Sequence, residues 1–531
     1  MYMNDIGKIW LATGENRVYL EPSMLNRHGM IAGATGTGKT VTLKVIAESF
    51  SDLGVPVFMA DIKGDLSGMC QAGCENKHIR RSIDTMGIEN FYYTSYPARF
   101  FDVYAKNGHP VRTTISEMGP ELLARLLGLN DIQSGVLRIV FRIADDKGLL
   151  LLDLKDLRLM LQYVGDNANE FKLSYGNVSS ATLGAIQRAL LTLEDEGGDI
   201  FFGEPALELA DWFDWDAQGR GVMNILECQE LFQHPLLYST FLLWMLTELY
   251  EMLPEVGDID KPKIAFFFDE AHLLFRDAPK ALLEKVEQVI RLVRSKGVSV
   301  WFISQNPADI PETVLAQISN RVQHALRAYT PNEQKALRYA AKSFRENPAF
   351  NTETVLQELA VGEALVSVLD EKGVPTVVER AGILPPRSSM NIVENDVLQS
   401  VINASPLFEK YMVIVDRESA YELLSARYDE AQAQTQEETE QLEDETEELE
   451  AEKEELEQIK YETELDRERA KLQKEREKLE KEREKLREKS KSRTGTRRRT
   501  TPMRSAVNSA ANTVGREIGK QLIRGIFGTL K

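Results

Sequence analysis

Apolar and polar positions fall into two regimes along the 531 residues. Up to about residue 112, short apolar runs alternate with segments of helical periodicity. Residues 29–32 (Gly-Met-Ile-Ala) and 56–60 (Pro-Val-Phe-Met-Ala) have the length and apolar content of buried strands, the second ending at Asp61. Between them, Val41, Val45, Ile46 and Phe50 recur at helical spacing. From about 113 to 214 the pattern is mainly helical and broken by glycines, with helices predicted over 121–127, 136–144 and 181–193. Strand-like runs resume at 221–226, and 236–253 reads as an apolar helix. Two further buried strands, 264–268 and 298–303, flank an amphipathic helix carrying Leu282, Val286, Val289, Ile290 and Val293 on one stripe. Strands follow at 322–327 and 364–369, the latter with a hairpin partner at 374–379. Strands alternating with helices predict an α/β fold: a parallel-rich sheet covered on both faces, with the helical stretch as an insertion.

The second regime begins near residue 425. Glu, Lys, Arg, Gln and Leu dominate, without proline or glycine, up to 491. Leu442, Leu449 and Leu456 repeat every seven residues, and so do Leu465, Leu472, Leu479 and Leu486 after a break in register. The second seam position of each heptad is mostly charged, whereas a good coiled coil needs apolar residues at both. The segment therefore reads as a long solvated helix, either a weak coiled coil or a single helix held by charge pairs. Beyond it come a basic patch around Arg497, Arg498 and Arg499 and an amphipathic stretch with Val507, Ala511, Val514, Ile518, Leu522 and Ile526 on one face. That tail is a candidate for docking on a protein partner or a membrane surface. These breaks divide the chain into 1–112 and 215–387 (two parts of one core), 113–214 (the helical insertion), 388–424 (a connecting helical segment), 425–491 (the charged helix) and 492–531 (the basic linker and amphipathic end). Pro385-Pro386-Arg387 is the expected close of the globular part.

Composition narrows the class. The net charge of −19 argues against a surface coated with positive charge, although much of the acid sits in the C-terminal segment. Three cysteines, no secretory signal and no apolar run long enough to span a bilayer lead to the expectation of a cytoplasmic protein with no transmembrane segment. Cys70, Cys74 and His78 are spaced by fours but lack a fourth ligand, so no metal site is expected there.

The chemistry is carried by Gly33-Ala34-Thr35-Gly36-Thr37-Gly38-Lys39-Thr40, between the first apolar strand and a helix. This G-x-x-x-x-G-K-[ST] pattern lets the backbone wrap an anion so that several N–H groups point at it. Lys39 can reach the β and γ phosphates, and the Thr40 hydroxyl can ligate Mg²⁺. The strand 264–268 ends in Asp269-Glu270, two carboxylates where ligands of open α/β sheets bind. Asp269 is the candidate metal holder and Glu270 the candidate general base. Gln305, after strand 298–303, is placed to sense the γ phosphate. Arg294, ahead of that strand, is a candidate arginine finger for a neighbouring subunit. ATP and Mg²⁺ are the expected ligands.

With Leu25-Asn26-Arg27-His28-Gly29, Asp61-Ile62-Lys63-Gly64-Asp65, Phe268-Asp269-Glu270-Ala271-His272 and the run from Arg294-Ser295-Lys296-Gly297 to Ser304-Gln305-Asn306-Pro307, the chain resembles the HerA/FtsK superfamily of DNA-pumping ATPases. More narrowly, it resembles the bacterial HerA-like proteins of the YjgR group. The resemblance covers about residues 5–387. It implies a RecA-like core in a homo-hexameric ring with ATP at subunit interfaces, and double-stranded DNA as a partner. It also implies Arg294 as a trans finger, Gln305 as a sensor, Arg27 as a cis arginine contacting nucleotide, and Asp61 as an acidic site residue. HerA proper begins with a small β-barrel that docks a nuclease, and barely thirty residues precede the phosphate loop here, so that barrel is expected to be missing. Two classes stay open: an ATP-driven DNA translocase or helicase, and an ATPase that remodels or scaffolds a protein or membrane-surface partner without acting on DNA. A small-molecule phosphotransferase is a third, disfavoured by the chain's length and by Arg294.

Overall fold

The computed structural model describes residues 1–275 and 280–490, and among these thirteen strands join in one sheet. In chain order they are β1 (Tyr2–Met3), β2 (Lys8–Thr13), β3 (Arg17–Leu20), β4 (Gly29–Ala32), β5 (Val57–Asp61), β6 (Ala98–Asp102), β7 (His109–Pro110), β8 (Met223–Glu227), β9 (Ile264–Phe268), β10 (Val298–Ser304), β11 (Asn320–Gln323), β12 (Glu363–Ser367) and β13 (Glu379–Ile383). Across the sheet they run β1-β2-β13-β12-β11-β4-β10-β9-β5-β8-β6-β7, with β3 on β2. Every neighbour pair from β11 to β7 is parallel, and β12, β13 and β2 extend the sheet antiparallel. The α/β core with a parallel-rich sheet is thus the RecA-like arrangement expected for a phosphate-loop ATPase.

The central strands are buried along their whole length, which is why they read as apolar runs rather than alternations. Their side chains divide by parity. Met30, Phe58, Phe266, Phe268 and Phe302 join one core with the helices of 115–195 and Pro235–Met252. Ile31, Val57, Met59, Phe267 and Trp301 join the other with the helix Lys39–Asp52. Gly29 faces Trp301 in the β4–β10 register, and a Cβ there would stand 2.2 Å from the indole, so the ring lies across the glycine.

The expected helices are present as Ile115–Leu126, Asp131–Lys147 and Ser180–Asp195, with further ones at Leu154–Asp166 and Ala168–Tyr175. Capping boxes at Thr114, Asn130 and Asp153 start three of them. Two strands fall elsewhere than the pattern predicts. The ladder partner of β12 is β13 at 379–383, while the expected 374–379 run pairs nearer the turn, Leu369 bridging Pro375 and the Thr376 N–H donating to the Val368 carbonyl at 2.8 Å, with Gly373 at φ 73° in the turn. β11 begins at Asn320 and ends by Gln323. Its Asn320 is buried and satisfied by the His28 carbonyl at 3.1 Å. β6, with its buried Arg99 held by Asp214 and the Asp211 carbonyl, was not expected.

The first compact unit runs from Met1 to Glu430, past the Pro385-Pro386-Arg387 close. Arg387 is buried against Asp52 and Tyr96, and Tyr411, Ala420 and Leu424 lie in the core. In the second unit, from Ala431, the described residues belong to the helix Ala420–Ser490, and Leu442, Leu449, Leu456, Leu472, Leu479 and Leu486 are all exposed along it. No helix of the described residues is long and apolar enough to cross a membrane. The basic linker and amphipathic end at 492–531 lie outside the described residues.

Candidate functional site: a phosphate loop facing a paired carboxylate

β4 delivers the loop 33–40 to the C-terminal edge of the parallel sheet, and the helix Lys39–Asp52 begins inside it. Gly33, Gly36 and Gly38 take φ values of 153°, 77° and 117°, the left-handed region that glycine enters without strain. Ala34, Thr35 and Gly36 form the more open tip, and Thr37 donates to the Ala34 carbonyl at 2.7 Å. Lys39 is buried and folds its ammonium onto the Gly33 and Ala34 carbonyls at 2.7 and 3.1 Å. Burial holds its pKa below the usual lysine value, against the pull of Glu270.

His324, directly after β11, braces this loop and was not singled out from the sequence. Its backbone N–H donates to Ala32 at 2.7 Å, while Ala34 N–H donates to Ala325 at 2.9 Å. Its ring is fully buried, with Nδ1 2.9 Å from the Glu363 carbonyl and Nε2 2.8 Å from Thr42 Oγ1. A carbonyl only accepts, so Nδ1 carries the proton and Nε2 receives the Thr42 hydroxyl. Burial holds this imidazole down at about 4, which keeps it neutral.

The turn after β5 supplies the next groups. Asp61 is buried, and its two oxygens receive the Gly64 and Leu66 N–H groups at 2.7 and 2.9 Å. Burial, then the charge of Asp65, push it up to about 7. Both of its oxygens therefore shape the turn, and the carboxylate beside the phosphate loop is Asp65, which receives Thr40 Oγ1 at 3.2 Å. Lys63, on the same turn, pairs with Glu270 Oε1 and stands 3.9 Å from Asp269 Oδ2. Neither residue was assigned a role from the sequence. The only available signal was the polar Asp-x-Lys-Gly-Asp string itself.

β9 ends in Asp269 and Glu270, both buried. Glu270 adopts φ 47°, ψ 45°, unusual for a residue with a side chain, and its N–H donates to Asp269 Oδ1 at 2.9 Å. Burial pushes Asp269 up to about 6. Glu270 is lifted by burial too, but the Lys63 hydrogen bond and charge override this, so it lies below the usual carboxylate value. β10 runs between β4 and β9, which brings Gln305 between the loop and the carboxylates. Its Nε2 donates to Glu270 Oε2 at 3.3 Å. A cleft of about 430 Å³ lined by His272, Phe275, Gln305 and Asp309 opens beside it.

Two arginines are placed elsewhere. β4 and β10 are parallel, so residues preceding them lie at the edge opposite the phosphate loop. Arg27 is there, its guanidinium about 3.5 Å from where a Cβ on Gly373 would stand. The cis contact with nucleotide that the resemblance implies for Arg27 would have to be made from that edge. Arg294 lies at the same edge, 43 % exposed and 3.6 Å from an exposed Asp258.

The donor set fits a metal-bound nucleoside triphosphate. The glycine φ values turn backbone N–H groups into an anion cradle, and Lys39 is at hand. Thr40, Asp65 and Asp269 offer the hard oxygen donors that Mg²⁺ takes in small numbers beside phosphate and water. When bound, Mg²⁺ would neutralise charge on the terminal phosphates. Glu270 would deprotonate the attacking water and Gln305 would help orient it.

The chain matches the family described as Helicase HerA-like C-terminal over residues 8–531. It is 21 % identical over 394 residues to the DNA double-strand break repair helicase HerA of Sulfolobus acidocaldarius, covering 70 % of this chain and 68 % of that protein. Among solved structures, the bacterial conjugative coupling protein TrwB is similar at 15 % identity, TM-score 0.48, over 72 % of this chain and 91 % of that one. VirB4 of Thermoanaerobacter pseudethanolicus is similar at 15 % identity, TM-score 0.43, over 72 % and 98 %. With the family match running nearly the whole chain and the phosphate loop facing Asp269-Glu270 across β10, the chain belongs to the HerA-like helicase C-terminal family and is an ATPase of the HerA/FtsK type.

Proposed function

We propose that the chain is a cytoplasmic, Mg²⁺-dependent ATP hydrolase that assembles as a ring of six and couples hydrolysis to movement along double-stranded DNA. In this reading the loop 33–40 binds the phosphates, Thr40 and Asp269 hold the metal, Glu270 activates water and Gln305 orients it. The observation that carries the ring is the position of Arg294. It stands at the sheet edge away from its own site, half exposed, next to an Asp258 that is itself exposed. An arginine so placed can stabilise transition-state charge only on nucleotide held by another subunit. The DNA part is supported by family membership and by the similarity to the Sulfolobus acidocaldarius DNA double-strand break repair helicase HerA.

A second reading is favoured by charge. The net charge is −19, and the exposed helix is rich in acid over residues 437–457. An ATPase that remodels a protein or membrane-surface partner would need no basic channel. ATPase rates with and without double-stranded DNA, at low and moderate salt, separate the two. A translocase is stimulated by DNA, and the stimulation falls steeply with salt as phosphate contacts are screened. ATPase activity indifferent to DNA at every salt concentration would leave the second reading in place.

A further inference from the structure

A general base needs an accessible lone pair, and both oxygens of the Glu270 carboxylate are already engaged. Its Oε1 is paired with the Lys63 ammonium, its Oε2 receives Gln305 Nε2 at 3.3 Å, and His272 Nδ1 stands 3.3 Å from the same oxygen. The strongest of these partners is the ammonium. The carboxylate side chain is 7 % exposed and the lysine side chain 43 % exposed, so Lys63 is the member able to swing into water. The turn that carries Lys63 is fixed at its root, since Asp61 takes the N–H groups of Gly64 and Leu66. The same turn touches the phosphate loop through Asp65 and Thr40. One six-residue segment therefore contacts both the residue that would ligate metal and the residue that would activate water.

We propose that Lys63 is a positioning residue that latches Glu270 in a paired, non-productive arrangement, and that loading of nucleotide with a divalent cation releases it. The proposal rests on the reading of Glu270 as the general base for ATP hydrolysis. The release follows from charge. The Lys63 ammonium is 3.9 Å from Asp269 Oδ2, and a divalent cation held by Thr40 and Asp269 would share that neighbourhood. Like charges at such separations repel, so pairing of Lys63 and loading of metal oppose each other. Hydrolysis of nucleotide bound without its cation is then suppressed twice, once by the missing charge and once by the occupied base.

The test uses the full chain with Lys63→Met, which keeps the apolar stem, Lys63→Arg, which keeps the charge, Glu270→Gln, and the Lys63→Met/Glu270→Gln double variant. Because loading must displace Lys63 from the pair, the KM for Mg²⁺–ATP without DNA falls roughly three- to ten-fold in Lys63→Met, the scale of one partly exposed ion pair, with kcat at saturation changed less than about two-fold. Lys63→Arg behaves as wild type, and the double variant is as inactive as Glu270→Gln. Melting supplies a readout apart from activity. Without nucleotide the two substitutions are non-additive in melting temperature, because each removes the same pair. With Mg²⁺ and a non-hydrolysable ATP analogue they become additive. A KM that is unchanged or raised in Lys63→Met, or a coupling that persists with the analogue, overturns the latch. Wild-type hydrolysis by Glu270→Gln would instead remove the general-base assignment on which the latch stands.

Discussion

Replacing His324 by Ala tests whether the phosphate loop is held from outside by the antiparallel end of the sheet. The imidazole accepts the Thr42 hydroxyl at 2.8 Å, donates to the Glu363 carbonyl at 2.9 Å and is fully buried. Two neutral hydrogen bonds at about 1 kcal/mol each, with a similar amount for the ring's lost packing, give a destabilisation of about 3–4 kcal/mol. Thr42 lies in the first turn of the helix whose N-terminus faces the phosphates, so the loosened loop should bind nucleotide less well while the carboxylates stay in place. The expected result is a roughly ten-fold weaker Kd for a fluorescent ATP analogue, with kcat at saturation within about three-fold of wild type. Urea denaturation and equilibrium binding measure the two parts. pH adds a signature. His324 is held at about 4 when folded against 6.5 when unfolded, so its contribution is complete above pH 6.5 and lost as pH falls toward 4. The gap between wild type and His324→Ala should therefore narrow on acidification, at most by about 1.4 kcal/mol per pH unit. A stability change under about 1 kcal/mol, or a fall in kcat with Kd unchanged, would refute the brace.

Arg294→Ala and Glu270→Gln subunits should each be inactive alone and recover part of wild-type hydrolysis when mixed, since one keeps the base and the other the finger. Failure at every mixing ratio, with rings shown to form, would contradict a trans role. Asp65→Ala should raise the Mg²⁺ concentration needed for half-maximal ATPase several-fold, because Thr40 loses its oxygen partner at 3.2 Å, and an unchanged Mg²⁺ titration would count against Asp65. Asp61, at about 7 folded against 3.8 unfolded, favours the fold fully below pH 3.8 and loses that contribution as pH rises to 7. Asp61→Asn should therefore be most costly at acid pH and its penalty should shrink toward pH 7.5, as followed by urea denaturation. A penalty constant with pH would contradict the buried, proton-holding carboxylate.

Much of the site was legible because its residues do local work. β4 and β9 coincide with their apolar runs, since strands buried on both faces admit nothing else, and the loop's glycines and Lys39 stand in a fixed spacing. What escaped depends on chain brought in from far away. His324 looks like an ordinary residue near a strand end, and only β11 lying beside β4 makes it a support. Lys63 and Asp65 sit in a polar turn whose partners, Glu270 and Thr40, are 207 and 25 residues away. Arg27 illustrates the converse. It lies six residues ahead of the loop in sequence, but a strand separates them, and a strand carries its two ends to opposite edges of the sheet.

The central claim is that hydrolysis at this site drives movement along duplex DNA. A triplex-displacement assay tests it most directly: a third strand annealed to duplex DNA is stripped only by a motor that travels along the duplex. Wild-type chain with ATP and Mg²⁺ should release the third strand, and Glu270→Gln, which still binds nucleotide, should not. A wild-type protein that hydrolyses ATP in the presence of this DNA and leaves the triplex intact would contradict the account.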